Sequence, residues 1–257
     1  MRCRQRRRQS GSSSLLRRLE DQLLAFDAWD RWDLDRAQSL LRDHAREAAL
    51  RKRFLFPIQR VIRSCDLLNQ DNQTDKVRKV IKEGKIHGFE AVEDLLLNAS
   101  RRASQERYDD AVGRLYRSME LTAQLLLLLD HGGIRTGNVQ LELLPEDLRT
   151  AYGKRRNQEK NKILLGLTDS FDLLADLGDP VGQEWQVRRN EIVNALQARN
   201  HSLLAHGFQP VTYTEWKQLD GVLGGFLRSV LDQRRGELAP LEQLPTTLEG
   251  MALSPIG

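Results

Sequence analysis

Apolar residues recur at three- and four-residue spacing through almost all of this 257-residue chain, and no stretch alternates apolar and β-branched residues long enough to anchor a sheet. That periodicity turns one face of each segment toward a core as a helix and leaves little from which to build strands. The fold class expected is all-α. Leu15, Leu16, Leu19, Leu23, Leu24 and Phe26 make a first stripe. Asp33 is placed to cap a second helix carrying Ala37, Leu40 and Leu41, and Pro57 suits the first turn of a third. Further helices are expected over about Glu90 to Arg102, through Ala111 to Leu129 after a turn at Gln105 to Tyr108, over about Lys160 to Leu177, over Glu184 to His206, and from a Thr214 cap to Leu231. Gly132 and Gly133 close the second of these, and Gly207 with Pro210 the fourth.

The charge balance is less informative than it first looks. Lys+Arg number 40 against Asp+Glu 36, a surplus of +4 with a pI of about 9.2. Arg2, Arg4, Arg6, Arg7 and Arg8 alone exceed that surplus, so the body of the chain is near neutral and its pI is poor support for nucleic-acid binding. Residues 1–14 end in a Gly/Ser tract and read as a flexible basic tip. The charged Leu15–Asp21 stretch that follows does not continue as an export signal. No run of about 18 apolar residues is present, so no membrane span is expected. Two cysteines, Cys3 and Cys65, cannot make a disulfide framework, and a cytoplasmic location is expected.

Several chemistries are excluded by motif. The chain has no G-x-x-x-x-G-K-[ST], G-x-G-x-x-G, H-E-x-x-H or G-x-S-x-G. Asp169, Asp172 and Asp176 share one helix face, which is the pattern of a solvated side more than of a cation site, and no metal or other cofactor is expected. The constellation that stands out is Arg199-Asn200 through His206-Gly207. Seven helical residues turn the chain about 700°, about 20° short of two turns, so Arg199 and His206 project from one face about 10 Å apart along the axis. A permanent guanidinium can stabilise charge developing on a phosphate, and an imidazole can move a proton at the attacking or leaving oxygen. The Asn200 amide can hold the phosphate or its neighbours. In so arginine-rich a chain this spacing also arises by chance, and on spacing alone a helix end capped by His206 and Gly207, with Arg199 paired to an acid, is the favoured account. Its context is a long helix led by Leu177-Gly178-Asp179-Pro180-Val181-Gly182-Gln183. Asp109 and Glu120 could steer Arg199, and Tyr213 and Trp216 lie near enough to stack on a base, though packing is their simpler role.

Those stretches, with Asp94-Leu95-Leu96-Leu97-Asn98-Ala99, Arg107-Tyr108-Asp109-Asp110-Ala111-Val112 and Arg114-Leu115-Tyr116-Arg117, resemble the C-terminal HEPN domain of CRISPR-associated (type III accessory) CARF–HEPN ribonucleases from about residue 89 to 231. Residues 25–49, with Trp29, Trp32 and Ala37-Gln38-Ser39-Leu40-Leu41, resemble the helical connector that follows the CARF sensor in that family. The resemblance implies a HEPN-type helical bundle and a metal-independent endoribonuclease for antiviral defence that cleaves single-stranded RNA. It carries the family's catalytic residues onto Arg199, Asn200 and His206. It also implies a homodimer with one composite site, where the 2′-hydroxyl attacks the adjacent phosphate. Cyclic oligoadenylate, the family's activator, binds the CARF sensor, and no βαβ pattern for that sensor precedes the connector here.

The domain organisation expected is a basic tip over 1–14, a helical connector over 15–88, the HEPN effector over 89–235 and a flexible tail over 236–257. Two other readings are compatible with the residues: a non-catalytic helical module for dimerisation or interaction, and a HEPN toxin of a two-gene system.

Overall fold

The computed structural model describes residues 2–44, 46–69, 74–200 and 209–245. The helices are α1 (Arg2–Asp30), α2 (Leu34–Arg42), α3 (Ala48–Leu50), α4 (Phe56–Asn69), α5 (Thr74–Lys82), α6 (Glu90–Ser104), α7 (Tyr108–Asp130), α8 (Glu146–Gly153), α9 (Leu167–Asp176), α10 (Pro180–Asn200), α11 (Tyr213–Leu219) and α12 (Gly225–Arg235). A two-residue antiparallel hairpin, β1 (Arg156–Asn157) and β2 (Lys162–Ile163), is the sheet among the described residues. The protein is therefore an all-α helical bundle, as the periodicity required. Among the described residues no helix is long and apolar enough to cross a membrane.

The chain forms two compact units. One takes in Met1–Cys65 and Leu241–Gly257, the other Asp66–Pro240. In the first, α1 packs on α2 through Ala25, Ala28 and Ala37, whose small, fully buried side chains allow close approach. Helix α1 begins within the residues expected as a flexible tip. Asp33 caps α2 as its position indicated, accepting from the Arg36 N–H at 3.4 Å. Pro57 does not open a fresh helix. Helical structure already runs in from Ala48 through a wide turn at Arg51–Leu55, where the Phe56 N–H reaches back to the Arg51 carbonyl. Such a turn makes room for a ring that would otherwise meet the carbonyl four residues earlier.

In the larger unit α7 is the central helix, packing against α5, α6, α9, α11 and α12. That placement explains the run Leu125–Leu129, where every side chain is buried: a helix surrounded by others is apolar on all sides. Arg78 of α5 donates from Nε and Nη2 to the Leu129 carbonyl, occupying an acceptor at the α7 C-terminus. The buried Glu90 carboxylate accepts the His87 and Gly88 N–H groups at 2.8 and 2.9 Å, tying down the chain that enters α6.

Two expected boundaries are corrected. The helix expected from Lys160 starts only at Leu167, because Lys162 and Ile163 pair with Arg156 and Asn157 and Gly166 breaks the approach. The last helical segment is capped by Thr212, not Thr214: the Thr212 hydroxyl accepts from the Glu215 N–H while Glu215 accepts from the Thr212 N–H.

Candidate active site

Arg199 and Asn200 occupy the last turn of α10, so the position of that helix decides where they stand. Its start is built by the Leu177–Gln183 stretch, residue by residue. Gly178 takes φ +75° as the left-handed stop of α9, and the Gly178 and Asp179 N–H groups bond back to Ala175 and Leu174. Asp179 then caps α10 by accepting from the Val181 N–H at 2.8 Å and the Gly182 N–H at 3.4 Å, with Pro180 at the first helical position. The His131 ring, at the end of α7, bonds the same carboxylate through Nε2 at 2.8 Å. Burial by itself would raise the Asp179 pKa, but these hydrogen bonds outweigh it and hold the carboxyl below the usual range. Gly182 sets the helix separation: a Cβ there would lie 2.3 Å from the Ala175 nitrogen and 2.4 Å from the Leu174 carbonyl carbon.

Rotation about the α10 axis is fixed one to three turns further on. Trp185, fully buried, stacks on Phe171 with ring centroids 4.7 Å apart, and Phe171 meets Phe226 edge-on at 5.6 Å. Asp172 of α9 accepts from Trp185 Nε1 at 2.9 Å, Gln186 Nε2 at 3.1 Å and Arg189 Nε and Nη2, both at 3.1 Å. Burial pushes the Asp172 pKa up, yet the Arg189 and Trp185 hydrogen bonds prevail and lower it; the Arg189 pKa is raised in return. The row of acids faces solvent as read, and each member also has a partner. Asp169 pairs with Arg155 and Asp176 accepts from the Tyr152 hydroxyl at 2.7 Å, while burial and that carboxylate push the tyrosine pKa up. Among the described residues no group of three His, Cys, Asp or Glu is placed to hold a metal ion.

From this anchored start α10 carries a buried stripe through Ile192 and Leu196. Seven residues turn a helix to within about 20° of its starting direction. On the backbone, Arg199 therefore follows the register of Ile192 and Asn200 that of Val193. The side chains of both, and all of His206, lie outside the described residues. Beyond that stretch the chain is tied to α7: Asp109 Oδ2 accepts from the Val211 N–H at 3.1 Å, while its Oδ1 is buried without a partner. The Tyr213 ring meets Tyr108 edge-on at 6.0 Å, leaving Tyr213 59% exposed, whereas Trp216 is buried packing. Glu120 pairs with Arg117 at 3.2 Å.

Next to the last turns of α10 is a cleft of about 330 Å³ between α7, the N-terminus of α9 and α10, lined by Tyr116, Leu167, Thr168, Asp169, Leu196 and Gln197 among others. No sequence pattern points to it, because Tyr116, Thr168 and Gln197 belong to three separate helices. Gly182 and Asp172 were equally hidden in function: a helical glycine and an acid on a polar face carry no mark of what packs on them.

The family model described as the Csm6 HEPN domain matches residues 78–229, more than half of the chain. No curated protein matches the sequence. The matched span takes in α6, α7, α9 and α10, together with the whole stretch from Arg199 to His206.

Proposed function

The chain belongs to the Csm6 HEPN family, and on that footing we propose that it is the endoribonuclease module of a CRISPR-associated defence protein of the cytoplasm. Membership supports an RNA-cleaving module. The finer assignment puts Arg199, Asn200 and His206 at the catalytic centre of a homodimer in which two such helices form one composite site. In this reading the RNA 2′-oxygen forms a bond to the adjacent phosphorus as the bond to the 5′-oxygen breaks. His206 moves the proton at the attacking or leaving oxygen, Arg199 stabilises the charge developing on the phosphate, and Asn200 holds it. The products are a 2′,3′-cyclic phosphate and a 5′-hydroxyl, with no metal needed. Cyclic oligoadenylate would act only through a CARF sensor joined to this module.

The observation that carries the proposal is the family match across an α10 whose start is capped by Asp179, spaced by Gly182 and oriented by Asp172, with Arg199 and Asn200 in its last turn. The test is cleavage of a labelled single-stranded RNA by the purified chain. Arg199→Ala and His206→Ala are expected to reduce cleavage by at least ~100-fold, the scale of losing an acid–base or charge-stabilising group. Both should leave melting temperature and dimer mass unchanged, and activity should persist in a chelator. Full cleavage by either variant, or loss of cleavage to the chelator, overturns the assignment.

A further inference from the structure

The cleft at the N-terminus of α9 is unused by the reaction just described, and its lining has the character of a site for a planar ring with a polar edge. Leu167 and Leu196 are buried and form an apolar floor, extended by the half-buried Val193. Tyr116 brings an aromatic ring from α7. Around them stand the Thr168 hydroxyl, the Asp169 carboxylate and the Gln197 amide, three hydrogen-bonding groups from two helices. Asp169 Oδ1 accepts from Arg155 Nη1. A phosphate is a poor occupant beside that carboxylate; a base offering N–H donors is a good one. Position completes the argument. Gln197 lies three residues before Asn200 on α10, about 4.5 Å along the axis, which is within the span of one nucleotide.

We propose that this cleft is a nucleobase subsite, holding a base next to the scissile phosphate and reading its edge through Thr168, Asp169 and Gln197. The inference rests on the ribonuclease reading for its substrate but not for its geometry. Single-stranded RNA is read in this way, by stacking of unpaired bases on aromatic rings and by hydrogen bonds to their edges. Because a carboxylate only accepts, the subsite favours bases with an exocyclic amino group, adenine, cytosine or guanine. Uracil has no exocyclic amino group and offers the carboxylate only its N3–H, flanked by two carbonyl oxygens that repel it, so it is disfavoured.

The test is cleavage of a randomised single-stranded RNA pool by the full chain, with the bases flanking each cut counted. Uracil should be depleted about tenfold at one flanking position, the scale of one well-placed base contact. Asp169→Asn replaces an acceptor by an amide that also donates, so uracil should become accepted there, a gain that misfolding cannot imitate. Gln197→Ala and Thr168→Ala should flatten the preference at the same position. Even use of all four bases by the wild-type chain, or a preference unchanged in Asp169→Asn, overturns the subsite. Binding of uracil-free and uracil-rich oligonucleotides to the His206→Ala protein separates the two claims. Selective binding that Asp169→Asn abolishes, with no cleavage by the wild-type chain, keeps the subsite and refutes the ribonuclease; cleavage with unselective binding does the reverse.

Discussion

Replacing Gly182 by alanine tests the packing that aims α10. The added Cβ would stand 2.3 Å from the Ala175 nitrogen and 2.4 Å from the Leu174 carbonyl carbon, where ordinary contact begins at 3.4 Å. Both obstacles are backbone of α9, so no side-chain rotation relieves them and the helices must part by about 1 Å. That separation strains the Phe171–Trp185 stack and the hydrogen bonds on Asp172. Overpacking of this kind costs about 3 kcal/mol, and the better helix propensity of alanine returns about 1 kcal/mol, leaving a loss of about 2 kcal/mol. For a domain of this size the melting temperature should fall by about 4–8 °C. Gly113, inside α7, supplies the contrast, because a Cβ there meets nothing within 4 Å. Gly113→Ala should therefore raise stability by up to about 1 kcal/mol, or about 2–4 °C. Thermal unfolding of the two variants beside the parent chain reads both. A Gly182→Ala protein that melts at or above the parent, or two variants that shift in the same direction, would refute the close-packing account of how α10 is set.

Asp109→Ala removes the acceptor of the Val211 N–H and should cost about 1–2 kcal/mol in urea unfolding while lowering RNA cleavage more than Asp109→Asn, which keeps an acceptor oxygen; equal cleavage by both variants would break the link between this tether and activity. Asp172→Ala strands the buried Trp185 Nε1 donor and should destabilise by about 1–3 kcal/mol, whereas an exposed ion pair such as Arg31–Asp27 should contribute less than about 1 kcal/mol when Asp27 is replaced. The pKa values of Asp172 and Asp179 are lowered in the folded state, so their contribution is present above the unfolded carboxylate value of about 3.9 and is lost as pH falls through the lower folded values. Acid titration of stability should accordingly be shallower in Asp179→Asn than in the parent, and identical slopes would contradict the assignment.

The repeat of apolar residues every three or four positions was enough to dictate an all-α chain, because a helix places those positions on one face whatever it packs against. Local punctuation was legible for the same reason. Asp33 and the Gly178-Asp179-Pro180 corner act through backbone groups within a few residues of themselves, and the structure uses them as caps and stops. Arg199, Asn200 and His206 stood out as a candidate group only through resemblance, since their spacing alone favours a plain helix end. What depended on distant partners was not readable. Thr212 rather than Thr214 begins the last helical segment, and Lys162 pairs with Asn157 instead of extending a helix, because hydrogen bonds that no periodicity encodes compete for those backbone groups. Asp169, Asp172 and Asp176 read as a solvated row, and they face solvent, but nothing in their spacing shows that Arg155, Arg189 and Tyr152 reach them from other segments. The same holds for Gly182, whose missing side chain matters only once α9 lies against it, and for the cleft beside Gln197, which exists only where three helices meet. Periodicity is a property of one segment and could be read from it; separation, rotation and cavities are properties of pairs and triples of segments, and only the tertiary structure decided them.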